Sequence, residues 1–150
     1  MIYEREPVGF SPDSNATVSG CFIESKGEFL LLKRQPEKSH PNKWALPGGK
    51  ADGNETPQEA IVRESIEETE IDLSDRVKFF KTMYERYLEA DFVYHIFHAL
   101  LDKKPEVVLS PEHTDYKWVS PSKALQMDLI EDLDICINMV YPFVNPAVGE

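Results

Sequence analysis

Cysteine is scarce: Cys21 and Cys136 are the two in 150 residues. They form no CxxC pair and sit in apolar surroundings, so the expectation is a pair of buried free thiols in a reducing cytoplasm. No apolar run approaches the length of about 18 residues that a spanning helix needs, which argues against a membrane segment. The opening MIYEREPVGF lacks the charged-then-apolar pattern of a secretory signal. Positive charge is also in short supply, with 16 Lys and Arg against 27 Asp and Glu and a net charge of −11. Phosphate backbones are held by basic surfaces, so the charge argues against a nucleic-acid polymer as the main partner. A small polyphosphate is not excluded, because a bound divalent cation inverts the local field. No internal repeat or low-complexity tract is present. With 41% hydrophobic residues, the chain reads as one domain over 1–150 with a real core. Residues 1–15, polar and proline-containing, read as a surface arm.

What the sequence does have is concentrated in residues 46–71, LPGGKADGNETPQEAIVRESIEETEI. Pro47, Gly48 and Gly49 make a loop, and Gly53 and Asn54 make a turn. A helix start follows: Thr56 as N-cap, Pro57 at the first helical position, Glu59 closing a Thr-x-x-Glu capping box. Glu64, Glu67 and Glu68 then fall at i, i+3 and i+4, on one helix face. Arg63 stands four residues before Glu67 and can pair with it. Like charges at that spacing repel by a few tenths of a kcal/mol per pair. A hard divalent cation reverses the sign, since Mg²⁺ takes one or two carboxylates, waters and substrate phosphates. The ordinary alternative is a solvated, Glu-rich helix surface.

The frame Gly49, Glu55, Arg63-Glu64 and Glu67-Glu68 resembles the Nudix box of MutT-like hydrolases. Six such positions coincide by chance with a probability on the order of 10⁻⁵ to 10⁻⁴. The resemblance runs from Val18 to about Tyr141. It implies an α+β Nudix fold, a mixed curved β-sheet sandwiched between α-helices. It also implies a Mg²⁺-dependent pyrophosphohydrolase, with Mn²⁺ as the alternative metal, whose metal lowers the pKa of an attacking water. Two positions depart. Ser65 stands where the family has a bulky aliphatic residue, which predicts a lost packing contact. Glu70 stands where it has glycine, which predicts a left-handed helix end filled at a cost of about 1 kcal/mol.

Along the rest of the chain, residues 16–23 and 28–34 read as a hairpin, the second strand buried on both faces. Residues 77–88 and 91–101 read as a long antiparallel pair around Glu89-Ala90. Residues 107–109 read as a short strand, and residues 120–127 and 131–141 as helices. His95 and His98 point to opposite strand faces and are not a metal pair.

The resemblance assigns further roles. Metal ligands would be the Gly48 carbonyl, Glu64, Glu67, Glu68 and Glu112, the last six residues before Trp118. Glu64, Glu67 and Glu112 would form the catalytic set, with the proton acceptor open between Glu64 and Glu112. Arg34 would meet the substrate's phosphates, after the Asn42-Lys43 approach to the loop, and Gly49 would also contact the substrate. Trp44, Leu46 and the last helix would stack the base. Asp132 would read its edge, or serve as an ordinary acid at a helix N-terminus. The favoured substrate is a nucleoside triphosphate, giving monophosphate and pyrophosphate. The alternatives are a nucleotide sugar, ADP-ribose or a dinucleoside polyphosphate, or a catalytically weak nucleotide-binding module, against which the intact glutamates count. The expected partner is a small nucleotide, with no nucleic-acid polymer, no membrane, and a monomeric or homodimeric state.

Overall fold

In the run EFLLLKR consecutive side chains are apolar, and a strand turns consecutive side chains to opposite faces. Such a strand is stable only with cover on both sides, and the molecule is layered accordingly. The computed structural model describes residues 1–12, 17–87 and 90–142. In chain order the strands are β1 (Ile2–Tyr3), β2 (Thr17–Ser25), β3 (Glu28–Arg34), β4 (Trp44–Ala45), β5 (Gly48–Lys50), β6 (Val77–Arg86), β7 (Asp91–Leu100) and β8 (His113–Val119). The helices are α1 (Pro57–Thr69), α2 (Pro121–Ala124) and α3 (Leu133–Val140). The strands order as β1-β6-β7-β2-β3-β4, with β5 added to β2 and β8 to β3. Only β2 and β7 run parallel among these pairs, so the sheet is mixed.

Leu30 and Leu32 face α1, packing with Cys21, Ile23, Ile61 and Phe97. Phe29 and Leu31 face α3, packing with Phe22, Trp44, Ile96 and Ile137. Cys21 and Cys136 are free and buried, in opposite layers. His95 and His98 diverge as expected: the first meets Thr82 Oγ1 at 2.9 Å, the second Glu24 Oε1 at 2.8 Å.

Three expectations change. The arm begins with β1, which pairs antiparallel with β6, Ile2 opposite Glu85; residues 13–15 lie outside the described residues, as does Glu89 of the expected turn. Residues 107–109 are not a strand. Val108 N–H donates to Thr69 O at 3.1 Å and Ser110 N–H to Glu68 O at 3.3 Å, so this segment satisfies carbonyls that α1 leaves open at its C-terminus. Finally, α2 is a single turn, four residues long.

The two departures from the box turn out to be connected. Ser65 is fully buried, and its hydroxyl donates to the Ile71 carbonyl at 2.9 Å. Thr69 Oγ1 donates to Ser65 O at 2.7 Å and accepts from Ile71 N–H at 3.2 Å. Between them Glu70 takes the left-handed cap, φ 62°. The hydroxyl that replaces an aliphatic contact thus fastens the chain on the far side of the residue that replaces glycine.

Candidate active site

The α1 N-terminus is built as its sequence predicts. Thr56 Oγ1 accepts from Glu59 N–H at 3.1 Å, and Glu59 Oε1 accepts from Thr56 N–H at 2.9 Å. This fixes the start of the helix, which packs on β5, whose paired glycines let the backbone approach two carboxylates. Gly48 N–H donates to Glu68 Oε1 at 2.8 Å. A Cβ on Gly49 would lie 2.6 Å from the Glu64 carboxyl carbon, so only glycine admits that side chain here.

Arg63 holds the group together. Its guanidinium forks onto Glu55, Nε to Oε2 at 2.8 Å and Nη2 to Oε1 at 3.0 Å. It also reaches Glu64 Oε1 and Glu67 Oε2, each at 3.0 Å, and the Lys50 carbonyl at 3.0 Å. The expected Arg63–Glu67 pair is present, and the Glu55 fork is added to it. A planar fork with several donors suits arginine and not lysine.

The loop before β8 carries Glu112 to the same place. Ser110 is tied to the end of α1, and Gln35 N–H donates to Glu112 O at 3.1 Å beside the end of β3. Glu68 is 5% exposed, and its carboxyl is pushed up to about 8 by burial first, with repulsion from Glu64 and Glu112 adding to it. The Gly48 N–H and the Arg34 charge oppose that rise. Glu64 is also raised, by burial first, and the Arg63 bond works against the rise. Glu64, Glu68 and Glu112 therefore share one field, with Arg34 at its edge. Glu67 adds to the repulsion on Glu64 from the exposed side, turned to Arg63 with its side chain 56% exposed.

The NUDIX domain model matches residues 13–136. The chain belongs to the Nudix family. Nucleoside triphosphatase NudI of Escherichia coli O139:H28 is 30% identical over 124 residues, covering 75% of this chain and 87% of the relative. The MutT protein of Methanosarcina mazei Go1 superposes with a TM-score of 0.76 at 29% identity, over 85% of this chain and 93% of that one. A MutT Nudix hydrolase from Burkholderia pseudomallei gives 0.73 at 26% identity, over 85% and 99%. As a Nudix protein the chain is a hydrolase acting on phosphoanhydride bonds.

Nudix hydrolases use divalent metal ions, and the donors gathered here suit a hard one: carboxylate oxygens, with neither thiolate nor imidazole among them. Among the described residues no three carboxylate, imidazole or thiol groups close into a ready cage. A cation that keeps waters and takes phosphate oxygens does not require one.

Next to the Nudix box opens a cavity of about 530 Å³, running from Arg34, Gly49 and Lys50 to Glu85, Tyr87, Tyr94 and Asp132. Arg34 is held at its mouth by Ser39, Nε to O at 2.6 Å and Nη2 to Oγ at 3.0 Å. Trp44 and Leu46 do not line it. Both are core residues, 8% exposed, and Trp44 is packed beneath the lysines of β3 and β8. The apolar walls are Ile2, Val18, Phe92, Ile130 and Leu133 instead. Asp132 does line the cavity, in a left-handed backbone with no capping hydrogen bond from its side chain. Sequence reasoning passed over Glu85. Its sign was legible: Met83, Glu85 and Tyr87 share a strand face, and a carboxylate there points inward beside a fully buried methionine.

No helix is long and apolar enough to cross a membrane among the described residues.

Proposed function

We propose that the protein is a Mg²⁺-dependent pyrophosphohydrolase of nucleoside triphosphates, releasing the monophosphate and pyrophosphate. The observation that carries this is the continuity between the box and the cavity: Gly49 contacts the Glu64 carboxylate space on one side and lines the cavity on the other. A nucleoside in the cavity thus leads its phosphates past Arg34 to the glutamates. The identity to a nucleoside triphosphatase supports this substrate class. Solved relatives that act on Ap4A or bind ADP-ribose are 24% and 19% identical and share the fold.

Glu64, Glu68, Glu112 and the Gly48 carbonyl are the residues that would hold metal, joined by Glu67 on leaving Arg63. The metal supplies phosphate neutralisation and a bound water of lowered pKa. Arg34 binds phosphate, and its Ser39 contacts aim the guanidinium at the cavity mouth. Arg63 orients Glu64 without touching substrate. Glu64 or Glu112 accepts the proton of the attacking water, and Glu112→Gln tests the second: a kcat within a few-fold of wild type at saturating Mg²⁺ would leave Glu64 as the acceptor.

The test is a panel of nucleotides with Mg²⁺, the products separated by chromatography. Triphosphates yielding pyrophosphate and monophosphate are expected. Cleavage confined to ADP-ribose, sugar nucleotides or dinucleoside polyphosphates would overturn the substrate class, and binding without turnover would overturn the activity.

A further inference from the structure

Ile2 is a wall of the cavity, yet it belongs to the arm and not to the long strands of the sheet. β1 is two residues long, pairing Ile2 with Glu85 and Tyr3 with Tyr84. A strand that short does not hold itself. Residues opposite each other across a pair share a sheet face, so Ile2 stands with Glu85 on the cavity face. Phe10 packs edge-on against Tyr84, ring centroids 5.4 Å apart, on the face opposite to Glu85. Residues 1–12 therefore pass around the edge of β6 from one face to the other.

One residue fastens both ends of that path. Arg86 N–H donates to Met1 O at 2.8 Å, and Arg86 O accepts from the Met1 amino group at 2.6 Å. Nη1 of the same arginine donates to Val8 O at 3.0 Å, and the guanidinium lies 5.9 Å from the Phe10 ring. Nε and Nη2 fork onto Asp91 at 2.9 and 3.1 Å, and Asp91 Oδ2 also accepts from Ser11 N–H at 2.8 Å. Glu4 adds an ion pair with Lys81, and the Met1 amino group lies 3.6 Å from Asp132. Little burial supports these bonds, since Glu4, Arg5, Glu6, Val8 and Gly9 are all exposed. A segment held by polar contacts and few buried groups opens at a low free energy.

We infer that residues 1–12 are a strap that completes the nucleoside cavity, and that Arg86 is the positioning residue that seats it. This rests on the reading of the cavity as the nucleoside site. Arg86 does not line the cavity and acts through Ile2, which does. With the strap docked, Ile2 joins Phe92, Ile130 and Leu133 against the apolar surface of the ligand. With the strap released, that wall is lost and water enters at the edge of β6. The docked form is then the form that binds, and affinity falls in proportion as its population falls. The reverse holds as well: a ligand that touches Ile2 prefers the docked form and so holds the strap down. The box carboxylates stand outside this exchange, because neither Arg86 nor Asp91 makes any of the hydrogen bonds that orient Glu64 or Glu68.

The experiment is amide hydrogen exchange over residues 1–12, read by mass spectrometry, beside calorimetric binding of AMP, GMP, CMP and UMP. In the wild-type protein, saturation with the tightest-binding monophosphate should slow exchange in residues 1–12 by about tenfold. A merely structural contact would not respond to the ligand in this way. Arg86→Ala should speed that exchange by about tenfold or more and weaken the same monophosphate by about 5- to 50-fold, while melting curves show the variant folded. Arg86→Lys, which keeps the charge but not the fork, should fall between Arg86→Ala and wild type. Ile2→Ala should weaken binding several-fold while residues 8–11 exchange as in the wild type. The ligand effect on the wild-type protein needs no variant and decides alone should any fail to fold. Binding is read separately from turnover, so a protein that binds a monophosphate and hydrolyses no nucleotide fails the proposed activity and keeps this inference. Exchange in residues 1–12 unmoved by a saturating monophosphate, unchanged affinity in folded Arg86→Ala, or no binding of any monophosphate at millimolar concentration would each overturn it.

Discussion

Gly49→Ala adds one methyl group, and its effect follows from distances. The new Cβ would lie 2.6 Å from the Glu64 carboxyl carbon and 2.7 and 2.8 Å from its oxygens. Ordinary contact begins near about 3.5 Å, so the carboxylate must retreat by about 1 Å. Retreat is restricted, because Oε1 is held by Arg63 at 3.0 Å and the side chain is 15% exposed. A displacement of that size at a reacting group costs about 10²-fold in rate. The backbone at Gly49 is not in the left-handed region, so alanine suits the strand, and the change in stability should stay within about 1 kcal/mol. Steady-state hydrolysis of the preferred nucleotide with Mg²⁺ should therefore show kcat down about 100-fold. The melting temperature should move by no more than about 4 °C. Gly48→Ala gives the contrast: φ is 155° and a Cβ would lie 2.0 Å from the Ser19 carbonyl oxygen of β2, so the β2–β5 pairing itself should fail. A Gly49→Ala enzyme within threefold of wild-type kcat would show that Glu64, as positioned here, is not part of the reacting group.

Arg63→Lys should lower activity by about 10- to 100-fold, because one ammonium cannot span Glu55, Glu64 and Glu67 together; a kcat close to wild type would refute its orienting role. Ser65→Ala should cost about 1–3 kcal/mol in urea melts by leaving the buried Ile71 carbonyl unsatisfied. Glu70→Gly should gain up to about 1 kcal/mol at the left-handed cap. Glu85 should make stability fall with alkalinity. Burial first, then Asp132, raises its carboxyl from the usual 4.5 to about 8, so the folded state keeps a proton that the unfolded chain has lost. Stability should drop by up to about 1.36 kcal/mol per pH unit across that window, and denaturant melts at pH 6 and pH 8 should differ less in Glu85→Gln.

The features legible in the sequence were local. The Thr56–Glu59 box, the two-faced burial of β3 and the divergence of His95 and His98 each follow from spacing within about ten residues, and each appears in the structure. The strand expected at residues 107–109 failed because an extended apolar segment does not reveal which backbone groups it will satisfy. Here they belong to the end of α1, and the choice is made by tertiary packing. Trp44 and Leu46 were misplaced for a related reason. An aromatic and an aliphatic residue before a phosphate loop suit a base slot and a core equally, and position in the sheet decides between them. Ser65 and Glu70 looked like two separate losses, since a buried hydroxyl's partner cannot be seen from the sequence.

The two ends of the site differ in how they are built, and this bears on what each can change. The glutamate end is written on one helix and one short strand, with Arg63 and the paired glycines tying the carboxylates to each other. Altering any member disturbs the rest. The far end of the cavity is assembled from Ile2 on β1, Glu85 on β6, Tyr94 on β7 and Asp132 before α3, residues brought together from across the chain. None of them touches the hydrogen bonds that orient Glu64 or Glu68. A substitution at Glu85 can therefore reshape the far wall of the cavity without disturbing the hydrogen bonds that orient the box carboxylates. For that reason the reaction class is readable from a motif, while what the cavity admits depends on residues that only the three-dimensional fold brings together.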